Sequence, residues 1–478
     1  MAARALIAVL LLVAHAGGLV NHVRARFRAL RLGARSGFDA RSRQCRASGS
    51  SGTWPPTASL ALVAGVPAPI ARRASGPFFE GWAIRAVDAA LGVVMVIIGS
   101  FRAAGEPRFT SHLLVLQHHP PGAHPLGPGS RTGGRVAQVL MGGDDVRIRS
   151  RRARTPFTAP GADGRPADFE WRILVGPAAG GSLAVDATRA WANFSLRGLG
   201  VHVAAVGRAP WNPHARRTGP EGWMRHVGAL LPCRYFVHSL GSRGAVAVRI
   251  DRPPWPGPGT GAAARLNGRA ELRAEHALVH VEGNYGRLFP AGWSWVHAIA
   301  PRARGSAERT SLLAVGGLFQ IAALTTRTWI IAFRHSGGRA WDFRTTDGDR
   351  VREVRQSCNG SLHVDARSRD GRRRLAFAIS APRASFGAPI YVPTATGFSA
   401  SPGCTEAHGA TLNIRTYMRA TVRPRAVERR AGATLQPVRG AARAEAGGSD
   451  GWEPAGSHTL RLATLEFGGA YTCAAGGH

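Results

Sequence analysis

Two short stretches of this 478-residue chain hold the residue types best suited to chemistry. The first, Ala277 to Ile299, carries Glu282, Asn284, Tyr285, Phe289, Trp293 and Trp295. The second, Phe78 to Trp82, sets Glu80 between aromatic neighbours. A carboxyl among aromatic and aliphatic side chains is hard to ionise, because apolar surroundings disfavour the charged form. Such a group is equipped to donate a proton at neutral pH. Indole and phenol faces beside it would stabilise positive charge developing on a substrate. The plainer reading of the same residues is structural. The tryptophans would then be sheet core, and each glutamate would bond nearby backbone or Arg85 or Arg287.

These residues need elements to position them. Ala277 to Glu282 alternates apolar and polar residues, the mark of a strand buried on one face. Gly283, Gly286, Pro290 and Gly292 then read as loop punctuation, and Trp293 to Ile299 as a second aromatic strand. The expectation is a tight turn that holds Glu282, Asn284, Tyr285, Arg287 and Phe289 between two strands. Phe78 to Arg85 reads as a strand with a glycine kink, and Leu91 to Phe101 as a buried strand or strand pair. Gln138 to Leu140, Phe169 to Val175, Phe194 to Val206 and Val246 to Ile250 are further strand candidates in the first half. In the second half they are Leu312 to Ala323, Thr328 to Phe333, Ala340 to Phe343, Leu362 to Asp365, Leu375 to Ile379, Ala410 to Arg415 and Leu460 to Cys473. Long helical patterns are absent. Many short strands with regular turns predict an all-β fold, a two-lobed lipocalin-like barrel or sandwich of antiparallel strands.

The first lobe is expected over residues 76–252 and the second over 266–478, joined by a Pro/Gly linker at 253–265. Asn267-Gly268 is a hairpin signal. Residues 423–457, rich in Arg, Ala and Gly with little periodicity, read as an exposed insertion. Phe79-Glu80-Gly81-Trp82 and Val281-Glu282-Gly283-Asn284-Tyr285 share a strand-Glu-Gly-aromatic pattern, as an internal repeat would if it set one glutamate at a comparable place in each lobe.

The first 75 residues read as targeting sequence. Residues 1–16 have a short basic start and an apolar run, the shape of a signal peptide. Residues 17–75 are rich in Arg, Ser, Ala and Gly and acid-poor, the composition of a transit peptide. That bipartite layout is expected of a plastid protein reached through the secretory route. The alternative is a secreted protein with a basic leader.

Composition excludes several function classes. Lys+Arg number 62 against 28 Asp+Glu, giving a formal net charge of +34. There is no lysine, so Schiff-base catalysis and a Walker-type phosphate loop are excluded. The arginines are scattered, which argues against a specific nucleic-acid partner. The five cysteines form no C-x-x-C pair and indicate neither a zinc site nor a disulfide framework.

The order of several motifs resembles the tocopherol cyclase family. Glu282-Gly283-Asn284-Tyr285-Gly286, Phe289-Pro290 and Trp293-Ser294-Trp295-Val296 look like its E-K-(N/D)-W-G…F-P…W-x-W-(V/M) signature, with Gly283 for the lysine and Tyr285 for the tryptophan. Gly76 to Trp82 is similar to its F-F-E-G-W opening, though Ala83 to Arg85 depart from it. Gln138 to Asp145 resembles a Q-V-L-G-x-(N/D)-D element, and Gly222-Trp223 with Pro232 to Leu240 a central strand. In that strand Phe236 stands where relatives carry a histidine, with His226 and His238 nearby. Gly387 to Glu406 and Glu466-Phe467-Gly468-Gly469 resemble the family's C-terminal elements. The resemblance spans roughly Gly76 to Thr472.

What it implies is an isomerase-type enzyme of vitamin E biosynthesis that closes a chromanol ring on a prenylated quinol, with no metal, nucleotide or redox cofactor. A proton is added to the tail alkene and the adjacent phenol oxygen traps the tertiary cation. Glu282, then Glu80, would be the acid. Asn284 would orient the quinol, and Trp82, Tyr285, Phe289, Trp293 and Trp295 would line the substrate pocket. Association with a membrane surface or plastoglobule follows from so greasy a substrate. The rival reading is a lipocalin-like carrier of a prenyl lipid without turnover; a nearby variant hydrates an isoprenoid alkene.

Overall fold

The structure, a computed structural model, describes residues 76–121, 135–150, 169–173, 179–186, 188–211, 219–224, 231–251, 269–300, 310–321, 324–335, 339–357, 360–419 and 451–472. The leader, the linker at 253–265, the Asn267-Gly268 turn, His226 and most of the 423–457 insertion lie outside the described residues. Every long element is a strand, and the strands pair antiparallel in two sheets.

The first sheet contains β1 (Phe78–Asp88), β2 (Gly92–Arg102), β3 (Ser111–His119), β4 (Arg135–Gly142), β5 (Val146–Ser150), β6 (Phe169–Ile173), β7 (Ala179–Val185), β8 (Arg189–Leu196), β9 (Leu199–Val206), β10 (Cys233–Asp251) and β11 (Arg269–Gly286). Its spatial order is β4-β3-β2-β1-β11-β10-β9-β8-β7-β6-β5. The second contains β12 (Gly292–Ile299), β13 (Ser311–Ile321), β14 (Leu324–His335), β15 (Arg339–Arg344), β16 (Arg350–Ser357), β17 (Ser361–Arg367), β18 (Arg373–Ser380), β19 (Ile390–Pro393), β20 (Phe398–Arg419) and β21 (Trp452–Gly469). Its order is β15-β14-β13-β12-β21-β20-β18-β17-β16, with β19 added on β20. The all-β, two-lobed, barrel-like architecture expected from the strand pattern is the one observed. Among the described residues no helix is long and apolar enough to cross a membrane.

Each sheet curls around its own core. Because side chains alternate across a strand, one face of the first sheet buries Trp82, Ile84, Val96, Ile98, Phe169, Trp171 and Val281 together, so strands from both ends of the sheet share one interior. The second sheet does the same with Val296, Ile331, Phe343, Leu375, Leu412 and Leu465. The opposite faces of the central strands meet between the sheets, where Leu113, Val115, Val237, Trp293, Trp295, Ile390 and Cys404 form a third cluster. Strands buried on both faces explain the near-continuous apolar run in β2, every described residue of which is buried except Ile97.

Several expectations are corrected. β11 does not stop at Glu282; it runs to Gly286, pairing with β1 (Trp82↔Gly283) on one side and β10 (Phe236↔Gly283) on the other. Its glycines serve close packing, not a turn. A Cβ on Gly283 would lie 3.3 Å from the Trp82 ring, and one on Gly286 would overlap the Pro232 carbonyl. Glu282, Asn284 and Tyr285 are therefore strand residues, and residues 287–291 carry the chain across to the second sheet. The boundary between sheets falls after Gly286, since the two flanking ladders hold 269–286 in the first sheet. Residues 452–457 belong to β21, paired with the end of β20 (Arg419↔Trp452). The single strand read over Phe194 to Val206 is a hairpin. Arg197 (φ 49°) and Gly198 (φ 76°) are both left-handed, as a two-residue turn between twisted strands requires.

The segment after β9 crosses back onto the second sheet through buried charge. Asp342 Oδ1 accepts from Arg334 (2.7 Å), and its Oδ2 accepts from Trp211 Nε1 (2.9 Å) and Arg344 (3.1 Å). Both guanidiniums also lie over the Trp211 ring. Asp342→Ala would leave these donors without their shared acceptor. It should cost about 2 kcal/mol, read as a lower urea midpoint at unchanged m-value.

Candidate functional site

On β11, His280, Glu282 and Asn284 share the face that looks at the second sheet; on β21, Thr464, Glu466 and Gly468 look back. Between these faces lies a cavity of about 400 Å³ bordered by Phe79, Ile97, Leu113, Tyr235, Glu282, Asn284, Phe289, Trp293, Trp295, Phe398, Glu406 and Glu466 among others. Its walls are aromatic and aliphatic. Phe289 joins Phe79 (ring centroids 5.1 Å) to Trp293 (4.9 Å), so the three rings form one apolar side.

Trp293 and Trp295 stand two residues apart on β12 and so share a face. Each indole N–H holds a carboxylate oxygen: Trp293 Nε1 donates to Glu466 Oε1, and Trp295 Nε1 to Glu282 Oε2 at 3.2 Å. Glu282 Oε2 also accepts from the Tyr235 hydroxyl and from His280 Nε2 at 2.7 Å. Three donors on one oxygen orient this carboxyl and leave Oε1 as its working atom. Burial pushes the Tyr235 phenol well up, and the Glu282 charge adds to this, so Tyr235 is a donor.

Glu406 and Glu466 are directly opposed across β20 and β21, both on the cavity face. Glu406 is 4% exposed; Glu466 is more open, because its side chain borders the cavity, but protein encloses it. Burial raises the Glu406 carboxyl, while Glu466, Gln117 and the Arg85 charge pull it back. Burial pushes Glu466 well above the usual carboxylate range, Glu406 adds to the rise, and the Trp293 N–H opposes it.

A buried polar cluster stands behind Glu282 and Glu406. Arg85, wholly buried, donates through Nε to Thr464 Oγ1 (2.7 Å), through a terminal nitrogen to His297 Nδ1 (2.9 Å) and to the Leu462 carbonyl. Burial pushes its guanidinium down to about 9, partly offset by the Glu406 charge, which leaves it cationic at neutral pH. Burial, with His280 and Arg85 adding to it, holds His297 well below the usual imidazole range. Burial and Arg85 do the same to His408. A neutral His408 donates from Nε2 to Gln117 Oε1, so Nδ1 accepts from the Thr464 hydroxyl at 2.9 Å.

The sequence candidates divide between two faces. Glu282, Asn284, Phe289, Trp293 and Trp295 meet at the cavity. Asn284 sits beside Gly81, where a Cβ would come within 2.8 Å of its Oδ1. Glu80, Trp82 and Tyr285 go to the other face of the first sheet. Trp82 stacks on Phe169 (5.1 Å) and edges onto Phe236 (6.3 Å) inside that sheet's own core. Glu80, two residues from Trp82 and opposite Tyr285, follows the same alternation, so the two strands border the cavity while these side chains point away. Glu80 Oε2 is buried with no hydrogen-bond partner among the described residues. Burial raises its carboxyl to about 7, the Trp82 indole offsetting some of the rise without a hydrogen bond of good geometry. Tyr235, His280, Arg85 and the Glu406–Glu466 pair were not singled out as site residues in the sequence. Glu466 belongs to the Glu466-Phe467-Gly468-Gly469 motif, but its partner is visible only once β20 and β21 are in register. Among the described residues no cluster of three or more His, Cys, Asp or Glu could hold a metal ion.

The Glu80 carboxyl has a stability consequence. The folded chain keeps that proton up to about pH 7, while the unfolded chain releases it near the ordinary value of 4.5. The folded state therefore binds more protons in between, and stability falls as pH rises through that window. Glu80→Gln should be more stable than the parent above pH 7, by about 3 kcal/mol, and the gap should close towards pH 4. Thermal melts at the two pH values check it. Gly468→Ala has a local effect. The added Cβ would overlap the Trp293 ring, so the indole must leave its place over Glu466, read as a change in near-ultraviolet circular dichroism.

A family model described as tocopherol cyclase-like matches residues 260–445. No curated protein matches the chain. Among solved structures, a putative AttH from Nitrosomonas europaea is 11% identical, with 82% of this chain and 92% of that chain covered, at a TM-score of 0.37; so loose a superposition carries no argument. The family match spans Glu282, Asn284, both cavity tryptophans and Glu406, but neither Phe79-Glu80 nor Glu466. Residues 260–445, which supply most of the cavity's polar groups, are thus similar to the tocopherol cyclase-like family.

Proposed function

We propose that the chain closes a chromanol-type ring on a prenylated quinol. The observation that carries this reading is the pairing of a cavity of about 400 Å³ with three carboxyls at its edge, Glu282 and Glu466 each held by an indole N–H and Glu406 opposed to Glu466. An isomerisation of this kind needs three things of the protein. An acid must hold a proton at neutral pH, ring faces must stabilise a tertiary cation, and water must be kept from that cation. Burial of Glu406 and Glu466 supports the first requirement, and Trp293, Trp295 and Phe289 the second. The apolar wall of Phe79, Leu113, Ile97 and Phe398 supports the third.

The quinol head fits the polar end. Glu282, fixed by Tyr235, His280 and Trp295, offers a hydrogen-bond acceptor to a ring hydroxyl, and Asn284 on the same strand face adds a second polar group. The tail then runs along the aromatic side. Location in a plastid and association with a lipid surface are further parts of this proposal; they rest on the leader's composition and the substrate's greasiness. The binding reading shares the cavity but leaves the carboxyls idle.

Incubating the mature chain with a phytyl quinol separates the two. Conversion to chromanol supports the enzyme; tightly bound but unchanged quinol supports the carrier. In the enzymatic case Glu282→Gln should reduce chromanol formation at least about 100-fold while leaving the far-ultraviolet circular dichroism spectrum unchanged. Full activity in that variant would refute a role for Glu282.

A further inference from the structure

We infer that Glu466, paired with Glu406, is the group that delivers the proton to the substrate alkene, and that Glu282 takes up the proton released from the phenol. The inference rests on the cyclisation reading and assigns its acid and its base to different carboxyls.

Three observations about position carry it. First, Glu406 and Glu466 are cross-strand partners on one face, which sets their Cβ atoms about 5 Å apart. Two ionised carboxylates there would repel each other strongly in a site with little water, so the pair is stable when it shares one proton. Second, both oxygens of Glu406 are buried without a hydrogen bond of good geometry. The nearest imidazole nitrogen, His408 Nε2 at 3.5 Å, belongs to a neutral ring already committed to Gln117. Arg85 is the cation whose field reaches Glu406, and its nitrogens are occupied by Thr464, His297 and the Leu462 carbonyl. One guanidinium, held off by neutral partners, then faces two anions. Third, Trp293 fixes Glu466 Oε1 as an acceptor, which leaves Oε2 to carry the shared proton at the cavity edge, next to the indole face that would stabilise the cation.

Glu282 is arranged for the opposite task. Its Oε2 already accepts from three donors, which fixes the carboxyl and turns Oε1 to the substrate as the accepting oxygen. The two glutamates are held by indoles two residues apart on one face of β12, so acid and base border the same cavity.

The step balances without a co-reactant. The Glu466 Oε2–H bond breaks as a C–H bond forms at the less substituted alkene carbon, giving a tertiary cation. The phenol oxygen forms a C–O bond to that cation, its O–H bond breaks, and the proton passes to Glu282 Oε1. Proton exchange between turnovers restores Glu466–H, and nothing is oxidised or reduced.

The test uses the full mature chain and a phytyl quinol, with chromanol formation followed against pH for the parent, Glu466→Gln and Glu406→Gln. Parent activity confirms the underlying reading on its own; a parent that makes no chromanol overturns that reading and this inference together. With an active parent, Glu466→Gln should lose at least about 100-fold while still binding quinol, seen as quenching of tryptophan fluorescence. Activity within twofold of the parent overturns the assignment. Glu406→Gln supplies a readout that a structural role would not move. The groups facing the pair are His408 from β20, Gln117 from β3, Arg85 from β1, Trp293 from β12, Glu282 from β11 and Tyr235 from β10. Of these changes only the loss of the Glu406 charge touches Glu466 directly, and it makes the proton easier to lose. The pH at which activity falls on the alkaline side should therefore move down in Glu406→Gln. An unmoved limb overturns the shared-proton pair even if Glu466→Gln fails to fold.

Discussion

One buried guanidinium holds the two sheets in register. Arg85 belongs to β1 of the first sheet, yet all three of its hydrogen bonds go to the second, to Thr464 and the Leu462 carbonyl on β21 and to His297 on β12. Neutral partners satisfy its donors, so its charge is not cancelled locally and acts on the carboxyls nearby. That explains why its field lowers Glu406 while it helps keep His297, His408 and His119 uncharged. The layer between the sheets thus grades from a cation, through neutral imidazoles, to carboxyls, and then to apolar wall. A cavity with such a gradient orients an amphiphile by its head group before any specific contact is made.

The two sheets repeat one plan, and the repeat places the site. The orders β4-β3-β2-β1-β11-β10 and β15-β14-β13-β12-β21-β20 correspond strand for strand. Within them Cys233 pairs with Gly286 and Cys404 with Gly468; two residues inward, Tyr235 pairs with Asn284 and Glu406 with Glu466. Cys233, Tyr235, Asn284, Cys404, Glu406 and Glu466 all border the same cavity. The first lobe therefore contributes a phenol and an amide at the position where the second contributes two carboxyls. The repeat expected from Glu80 and Glu282 is a different one, and the structure replaces it. Those glutamates lie on adjacent strands of one sheet and on opposite faces of it.

How much of this was legible in the sequence follows from the kind of signal involved. The strands were, because alternation and turn residues act over a few positions, as at Ala277 to Glu282 and in β17 and β18. The cavity tryptophans and Glu282 were as well, since an acid beside Trp-x-Trp stands out by type and by motif. The end of β11 was not. Gly283 and Gly286 look like turn residues, and only the neighbouring Trp82 ring and Pro232 carbonyl reveal that they clear space inside a three-strand ladder. The face taken by Glu80 was not legible for a related reason, as its pattern carries no information about which face of β1 meets the other sheet. The Glu406–Glu466 pair depends on a register set over fifty-nine residues of intervening chain, with β-bulges between Ala407 and Leu412, and no local rule reports that.

His408 bears on the chemistry directly. The ladder is regular from Cys404 to Ala407, so His408 keeps the face of Glu406 and Cys404 and sets its Nε2 3.5 Å from Glu406 Oε2. Both ring nitrogens are nevertheless committed elsewhere, to Gln117 and Thr464, and burial with Arg85 nearby keeps the ring neutral. A charged, hydrogen-bonded histidine at that point would supply the missing counter-charge, both carboxyls could ionise, and the site would hold no transferable proton. The missing counter-charge of Glu406 therefore follows from a ring held neutral by burial and by Arg85, and the capacity of the second lobe to act as an acid follows from that neutrality.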